Sequence, residues 1–329
     1  MQIKMAQYGT GHGHAAGKAW SMIQSPDVEF AGIYEPVLAD RAEARKDPTY
    51  AGVHWYESAA EMLGDASITA IAIEGRNDQS LVMAHEAIAA GKHLWYDKPA
   101  GDDWPSYQKL VASARAQSLQ IQMGFMFRYH PGFRQIADWA RSGFLGEIFS
   151  VRAHMSTWLT VPARKVVSVH QGGIFYDLGS HMLDQVVWIL GRPNKVTAFL
   201  RNDQTPEVRA FRDNTLGVFE YNKAIAFIDI AAVEARPMAR RFEVYGTRGS
   251  AIMEPFEPDL KLALCLEEAR GGYNKGWQDV DVGRQPREIQ YDRELEAFVA
   301  VLRGEKAPDR SLDHDLIVQE TLLRAAQGI

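Results

Sequence analysis

An aspartate and a histidine stand four residues apart in a stretch whose apolar spacing is helical. Asp177 and His181 occupy positions i and i+4, and Asp184 follows at i+7, so the three side chains lie nearly in line along one side of a helix. A carboxylate beside an imidazole fixes its tautomer and raises its basicity, which a general base near neutral pH requires. The alternatives are a solvated polar stripe and a metal site, for which no third ligand suggests itself.

The helix that would carry these residues has a clear apolar side and clear ends. Gly172 and Gly173 precede it, and Leu190, Gly191 and Pro193 end it. Its apolar residues recur at three- and four-residue steps and are Phe175, Leu178, Met182, Val186 and Ile189. We therefore predict a helix with a buried apolar back and the polar residues on a roughly opposite side.

A glycine-rich turn near the start of the chain offers a second kind of chemistry. Residues 9–14 follow the apolar strand 3–8 and lead into the helical stretch 15–23. A strand, a glycine turn and a helix N-terminus form a cradle for a pyrophosphate, because the backbone can approach closely and the helix end supplies N–H groups. The usual spacing is G-x-G-x-x-G/A, and His14 takes the third position, so the match is incomplete. The residues expected to bind a dinucleotide here are Gly9, Thr10, Gly11, His12 and Gly13.

An acidic residue after the second predicted strand bears on the choice of dinucleotide. Residues 28–34 read as this strand, and Glu35 follows it, 21 residues after His14. An acidic side chain there accepts hydrogen bonds from the adenosine ribose and repels a 2′-phosphate. Glu35 therefore favours NAD over NADP, while Arg41, one turn further on, leaves NADP as the alternative.

Strands and helices continue to alternate along the first half of the chain. Strands are predicted at 68–73, 93–96 and 120–127, and helices at 37–46, 79–90 and 104–117. This rhythm predicts a parallel sheet with right-handed crossovers, whose ligands lie beyond the carboxyl ends of the strands. The candidate cofactor-binding residues that follow strands at this edge are Glu74, Arg76, Asn77, Asp97 and Lys98.

Lys98 is the candidate for chemistry on a hydroxyl group. It follows a strand, precedes Pro99 and should face the same crevice as the glycine turn. A lysine close to a nicotinamide ring and a substrate hydroxyl can polarise the hydroxyl and share its proton. The alternative is a loop lysine that forms a surface salt bridge.

With these motifs together, the sequence resembles the Gfo/Idh/MocA oxidoreductase family, whose members include glucose–fructose oxidoreductase and inositol 2-dehydrogenase type enzymes. The resemblance covers almost the whole chain and rests mainly on the lysine-proline motif at 96–99 and the D-x-G-x-H-x-x-D motif at 177–184. Further segments similar to the family's pattern are 91–93, 124–131, 143–147 and 245–250.

The resemblance implies an NAD(P)-dependent dehydrogenase or reductase that acts on a secondary alcohol of a sugar, polyol or glycoside. Lys98, Asp177 and His181 match the family's catalytic residues, while Asp184 is expected to position the helix or its neighbours. Some relatives keep NAD resident and cleave glycosides by transient oxidation and elimination, which is the alternative reaction. A non-catalytic dinucleotide sensor would predict a degraded trio, and all three residues are present.

The resemblance also implies two domains. A Rossmann domain with a parallel α/β sheet is assigned to residues 1–123, and an α+β domain with a large, open, mostly antiparallel sheet to 124–329. In the second half, strand-like segments follow one another without helices between them, which favours antiparallel pairing. The candidate substrate-binding residues are Lys98, Arg128, His154, Trp158, Asp177 and His181. The family forms dimers and tetramers through this sheet.

The sequence departs from the family's pattern in four places. His14 replaces a glycine or alanine, and Asp97 replaces the glutamate before lysine-proline. Residues 75–80 keep only the asparagine of the family's T-P-N-x-x-H, and Glu35 stands where aspartate is usual. These changes affect contacts with the cofactor and leave the proton-handling trio intact.

The bulk properties exclude several classes of protein. The 329 residues carry a net charge of −6, which argues against nucleic acid or an anionic membrane as the main partner. The single cysteine, Cys265, rules out an internal disulfide and suits the cytoplasm. No apolar run is long enough to span a bilayer, and the N-terminus enters a strand without a signal peptide. We expect a homodimer or homotetramer that binds a small molecule and no metal.

Overall fold

The computed structural model describes residues 2–283 and 286–329, and the chain divides into two compact units. The first unit comprises Met1–Met126 and Arg287–Leu312, and the second comprises Phe127–Pro286 and Asp313–Ile329. The division by sequence therefore differs from the structure at the segment Arg287–Leu312, which it assigns to the second domain. Within the described ranges, no helix combines the length and apolar character needed to cross a membrane.

A parallel sheet forms the centre of the first unit. Its strands in the described part of the chain are β1 (Ile3–Tyr8), β2 (Val28–Tyr34), β3 (Ala70–Ile73), β4 (His93–Tyr96) and β5 (Ile121–Met123). They pair in the order β2-β1-β3-β4-β5, all in parallel, which confirms the predicted sheet. Every residue of β3 is buried, as expected when helices cover both faces of a parallel sheet.

Helices connect these strands and place loops at the carboxyl edge of the sheet. They are α1 (Ala15–Gln24), α2 (Leu38–Ala44), α3 (Ala59–Gly64), α4 (Ser80–Ala89) and α5 (Trp104–Ala116). The short helix α3 was not predicted; Ser58 caps it by accepting a hydrogen bond from the N–H of Glu61 at 3.1 Å. Residues 9–14, 74–79 and 97–103 are the loops that leave β1, β3 and β4.

The second unit contains a large, mostly antiparallel sheet, as predicted. Its described strands are β6 (Ile148–His154), β7 (Lys195–Arg201), β8 (Asn214–Glu220), β9 (Ile225–Ala231), β10 (Arg241–Gly246), β11 (Gly249–Met253), β12 (Leu262–Leu266) and β13 (Gly276–Asp279). They pair in the order β13-β12-β11-β10-β6-β9-β8-β7, and the pair β6 and β9 is parallel. The edge strand β13 was missed because it is four residues long and only partly apolar.

In the described part of the chain, helices pack on one face of this sheet, and the opposite face carries exposed apolar side chains. The helices of the second unit are α6 (Pro131–Arg141), α7 (Val161–Val167), α8 (Ile174–Leu190) and, near the chain end, α10 (Leu312–Gln327), after α9 (Glu288–Leu302) of the first unit. Of these, α8 packs on β6, β8 and β9, and α6 packs on β10. On the outer face the pairing register aligns Ile225 and Trp277 in one row and Phe199 in another, and all three are more than half exposed.

The helix α9 explains why the chain returns to the first unit. Leu295 and Phe298 pack in one buried cluster with Met5 and Trp95 of the parallel sheet. Asp292 accepts a hydrogen bond from Ser21 Oγ at 2.6 Å, which joins α9 to α1. The sequence alone does not reveal this packing, because an amphipathic helix near the chain end can cover either domain.

Candidate functional site

The glycine turn of the first unit has the backbone path that a phosphate cradle needs. Gly9 has φ +90°, and a Cβ there would lie 2.4 Å from the backbone nitrogen of Gly75, so glycine is required. The N–H of Gly9 donates to the carbonyl of Tyr34 at 2.7 Å, which fixes the turn against β2. At Gly13, by contrast, nothing lies within 4 Å of a built Cβ. The turn is thus held from one side and open at Gly13, as binding of a pyrophosphate requires.

Glu35 closes the turn from the end of β2. Its carboxylate is 3% exposed and accepts hydrogen bonds from the Thr10 N–H at 2.5 Å and the Thr10 hydroxyl at 2.9 Å. The N–H of Val37 donates to its other oxygen at 2.8 Å. Glu35 therefore fixes the turn through these hydrogen bonds, and its oxygens retain lone pairs that can accept hydrogen bonds from a ribose.

Two arginines near the turn differ in their surroundings. Arg76 lies over Gly11, since a Cβ on that glycine would approach Arg76 Cγ to 2.6 Å, and it donates to Asp40 at 2.6 Å. Arg41 pairs with Glu57 at 3.2 Å and stacks on Trp55. Arg76 therefore borders the cradle, while Arg41 is held in a separate contact. Asn77 opens the turn before α4, where its carbonyl accepts from Ser80 Oγ at 3.4 Å.

A buried lysine joins the ends of β3 and β4 beneath this turn. Lys18 Nζ lies 3.0 Å from Glu74 Oε1 and 3.0 Å from Asp97 Oδ2, and it faces the ring of Trp95. Burial alone would lower the pKa of Lys18, but the charges of Asp97 and Glu74 outweigh it and raise the pKa. The side chain of Glu74 is completely buried in this ion pair. It supports the floor of the cradle through this ion pair, and its direct contact with the cofactor stays a prediction.

Two histidines connect the glycine turn to Asp97. His14 Nδ1 lies 3.0 Å from Asp97 Oδ2, and His12 Nδ1 lies 3.4 Å from the same oxygen. Burial lowers the pKa of His14 to about 3, so the ring is neutral at physiological pH. Asp97 Oδ1 accepts the N–H of Lys98 at 2.7 Å, and Lys98 itself is buried. The first unit thus brings the turn, Asp97 and Lys98 into one group.

The second unit carries the aspartate and histidine of α8. His181 is 1% exposed, and its ring centre lies 5.1 Å from that of Phe127. Asp177 is partly exposed, one helical turn earlier. Because Asp184 is also buried, α8 is enclosed on its polar side as well as on its apolar side, which excludes the solvated-stripe interpretation.

Arg128, predicted to bind substrate, forms contacts that hold α8 in place. Its Nε donates to both oxygens of Asp184 at 2.9 Å, and its Nη2 lies 2.8 Å from the same carboxylate and 2.7 Å from His314 Nε2. The guanidinium also stacks on Trp188 at 4.4 Å. All these contacts belong to the second unit. Arg128 is buried in these contacts, which anchor Asp184 and with it α8, and substrate binding by Arg128 stays a prediction.

His154 and Trp158 were also predicted to bind substrate. His154 projects from the outer face of the sheet, where Asp229 Oδ2 lies 2.5 Å from Nδ1 and Glu234 Oε2 lies 3.0 Å from Nε2. These carboxylates raise the pKa of His154, which favours an imidazolium. Trp158 follows β6, bridges to Val233 and is 43% exposed. The structure therefore does not bring His154 together with Asp177 and His181, because strand alternation turns it to the opposite face.

Two members of the buried cluster in the first unit were not predicted from the sequence. Lys18 interrupts the apolar side of α1 formed by Ala15, Ala19 and Met22, and Glu294 stands among the buried residues of α9. Burial raises the pKa of Glu294 to about 7. A charged residue on the apolar side of an amphipathic helix was the available signal, because such a residue needs a buried partner.

Two family models match the chain. The model described as "Oxidoreductase family, NAD-binding Rossmann fold" matches residues 3–125, and the model described as "GFO/IDH/MocA C-terminal domain" matches residues 133–252. An oxidoreductase from Agrobacterium radiobacter, solved in complex with NAD+, L-tartaric acid and magnesium, has a similar fold with a TM-score of 0.82. It is 18% identical, and the match covers 100% of this chain and 98% of that chain.

Curated relatives are similar over part of their length. Rhizopine catabolism protein MocA of Rhizobium meliloti is 25% identical over 51% of this chain and 51% of its own. Inositol 2-dehydrogenase of Salmonella paratyphi B is 24% identical over 61% of this chain and 58% of its own. The chain thus spans between half and two thirds of the length of these relatives. With both domain models matched in order, the chain belongs to the GFO/IDH/MocA oxidoreductase family, and its first unit has that family's NAD-binding Rossmann fold.

Proposed function

We propose that this protein is an NAD-dependent dehydrogenase or reductase that acts on a secondary alcohol of a sugar, polyol or glycoside. The observation that carries the proposal is the contact between the glycine turn and the end of β4. Asp97 lies against His14 of the turn and accepts the N–H of Lys98. A group that can polarise a hydroxyl thus stands beside the segment that fits a dinucleotide.

The residues of the chain divide the work between binding and proton handling. Bound NAD would accept or return the hydride at its nicotinamide ring. The turn residues 9–13 and Arg76 would hold the pyrophosphate, and Lys98 would lower the effective pKa of the substrate hydroxyl. His181 would take the hydroxyl proton, with Asp177 stabilising the imidazolium. Because proton and hydride leave the same carbinol, correct placement contributes more than basicity alone.

NAD is the proposed cofactor rather than NADP. Glu35 and Asp40 place negative charge beside the turn, which opposes a 2′-phosphate. Arg41, the residue that would bind such a phosphate, is engaged with Glu57 and Trp55. Titration with both dinucleotides by fluorescence should give at least tenfold tighter binding of NAD, and equal affinities would contradict this choice.

Activity is tested by following NADH absorbance with a panel of monosaccharides, inositols and glycosides. Lys98→Met should lower turnover by at least about 100-fold on the best substrate, as expected for loss of an acid–base group. The control is Lys109→Met, which removes an exposed lysine on α5 of the same unit. Equal turnover in Lys98→Met and the control would overturn the assignment. Glycoside cleavage without net NADH would instead indicate the resident-cofactor reaction.

Cofactor binding is tested independently at Gly13. A side chain at this position meets no protein atom within 4 Å, so Gly13→Val should leave the free energy of unfolding within about 1 kcal/mol of wild type. The same side chain would fill the space that phosphates approach, and we expect NAD to bind at least 30-fold more weakly. Gly64→Val is the control, since Gly64 also has open space but lies on α3. Unchanged NAD affinity in Gly13→Val would remove the turn from the site.

We also propose a homodimer or homotetramer, in the cytoplasm, formed through the outer face of the large sheet. The support is the uncovered apolar side chains on that face, including Phe199 and Trp277. Light scattering with size-exclusion chromatography should show a dimer or tetramer, which Trp277→Lys should weaken. A monomer at all concentrations would contradict this proposal.

A further inference from the structure

Two departures from the family's sequence pattern meet in the structure. His14 stands where the dinucleotide fingerprint has glycine or alanine, and Asp97 stands where the lysine-proline motif usually has glutamate. The positions are 83 residues apart, yet His14 Nδ1 lies 3.2 Å from Asp97 Oδ1 and 3.0 Å from Oδ2. The two unusual residues are therefore direct partners within the first unit.

The direction of this hydrogen bond follows from the chemistry of the partners. Burial lowers the pKa of His14 to about 3, so the imidazole is neutral and carries one ring hydrogen. A carboxylate can only accept, so Nδ1 of His14 must carry that hydrogen and donate it to Asp97. The ammonium of Lys18 lies 3.0 Å from Oδ2 of the same carboxylate and forms an ion pair with it. A neutral imidazole and a charged ammonium therefore both contact Asp97.

The space around Asp97 is closed. A Cβ built on Gly124 would lie 2.9 Å from Asp97 Oδ1 and 3.0 Å from Lys18 Nζ, so the backbone packs directly on this pair. The ring of His14 stands on a further side and itself contacts Tyr291 at 5.4 Å between ring centres. A glutamate at position 97 would be longer by about 1.5 Å and would meet the imidazole. Conversely, without the His14 imidazole the aspartate carboxylate would lose its 3.0 Å contact with the turn and keep only the longer approach of His12 Nδ1 at 3.4 Å.

We propose that His14 and Asp97 form a paired positioning unit for Lys98, in which the imidazole of the glycine turn supplies the reach that the shorter acidic side chain lacks. Asp97 Oδ1 accepts the N–H of Lys98 at 2.7 Å, so the orientation of the carboxylate sets the backbone direction of the lysine. A displacement of about 1 Å in a group of this kind can cost about 100-fold in rate. The inference rests on the proposed role of Lys98 in proton handling.

A metal site is the competing interpretation of the same atoms. His12, His14 and Asp97 each offer a ligand atom, and these atoms lie within 4.8 Å of one another. However, the ammonium of Lys18 is already 3.0 Å from Asp97 Oδ2, and a second cation on that oxygen would be repelled at close range. Lys18 thus supplies the positive charge that a metal would bring.

A double-mutant cycle tests the pairing. The proteins are wild type, His14→Ala, Asp97→Glu and the double variant, which restores residues usual in the family at both positions. We expect each single variant to lower kcat by about tenfold or more with little change in the KM for NAD. The double variant should return kcat to within about threefold of wild type. Losses that simply multiply in the double variant would overturn the inference.

A second series covers the case in which Asp97→Glu does not fold, as judged by circular dichroism. His14→Gln keeps an N–H donor for Asp97, whereas His14→Leu keeps volume and removes the donor. The Gln variant should retain most of kcat and the Leu variant should lose it, and equal kcat values would overturn the pairing. His85→Ala is the control, because His85 lies on α4 and contacts Ser106 instead. Absence of NAD-dependent turnover in wild type would remove the proposed function itself, whereas additive losses in an active enzyme would remove only this inference.

Discussion

Each unit of the molecule contains a buried ionic cluster, and the two clusters differ in construction. In the first unit, Lys18 is shared between two carboxylates, Glu74 and Asp97, at the ends of neighbouring strands. In the second unit, Arg128 forms close contacts with one carboxylate, Asp184 of α8. The lysine is a compact charge that serves several segments, whereas the planar guanidinium fixes one geometry.

The difference indicates what each cluster does. The lysine cluster joins the glycine turn, β3 and β4, and its neighbour Lys98 is the proposed catalytic lysine. The arginine cluster joins the segment before α6 to α8 and α10, and its role is to hold the helix that carries Asp177 and His181. Burial of a charged side chain therefore accompanies the proposed cofactor-binding segments in the first unit and fixes a helix in the second.

The largest effect is expected from Lys18→Met. This change leaves Glu74 and Asp97 buried without their ammonium partner, and breaking a buried ion pair costs about 3–5 kcal/mol of unfolding free energy. Urea denaturation at pH 8, followed by circular dichroism, measures it against the surface control Lys109→Met. A loss below about 1 kcal/mol would show that the carboxylates are not held by this lysine.

A somewhat smaller effect is expected from Arg128→Met. Asp184 loses its guanidinium but keeps His314 Nε2 at 2.8 Å, so we expect a loss of about 2–4 kcal/mol. Arg134→Met, an exposed arginine on α6, is the control in the same denaturation experiment. If Arg128→Met raised only the KM for substrate and left the unfolding free energy unchanged, Arg128 would be a substrate ligand.

Glu294→Gln should change how stability depends on pH. Burial raises the pKa of Glu294 to about 7, above the value near 4.5 of an unfolded chain. The folded state therefore binds an extra proton between pH 4.5 and 7, and stability is full below the unfolded pKa and falls as pH rises through the folded pKa. We expect wild type to lose up to about 3 kcal/mol from pH 5 to pH 8 through this group, and the Gln variant to lose less. If the unfolding free energy depended on pH in the same way in both proteins, the assignment to Glu294 would be contradicted.

The smallest effect is expected from His154→Gln on the outer sheet face. Asp229 and Glu234 raise the pKa of His154, so its contribution is present below the ordinary pKa near 6.5 and is lost as pH rises through the folded value. The site is partly exposed, and we expect the variant to lose less than about 1 kcal/mol of unfolding free energy at pH 6 and progressively less as the pH rises. If His154→Gln lost as much unfolding free energy as Arg128→Met, the difference in solvent exposure would not explain the different stabilities of the two sites.

The first unit could be predicted closely because local rules determine it. The strands β1, β2 and β4 have the bounds that hydrophobic runs and glycine turns indicate, and the acidic residue after β2 lies beside the turn. These features depend on neighbours in sequence, so a single chain shows them.

The second unit was less predictable because its partners are distant in sequence. Arg128 pairs with Asp184, 56 residues away, and with His314, 186 residues away. No sequence pattern close to Arg128 indicates either of these two partners. His154 was predicted to bind substrate because of its residue type, whereas the pairing register of β6 with β9 determines on which face of the sheet it lies. The buried Lys18 was hidden for the same reason, since its carboxylate partners follow other strands.

The most direct test of the account is to follow the carbinol hydrogen. A substrate from the activity panel, labelled with deuterium at the reacting carbon, is incubated with the holoenzyme and NAD, and the reduced dinucleotide is analysed by mass spectrometry. The account predicts one deuterium per molecule of released NADH, formed at least about 100-fold more slowly by Lys98→Met. Unlabelled NADH, or label that stays in the product with no NADH released, would contradict it.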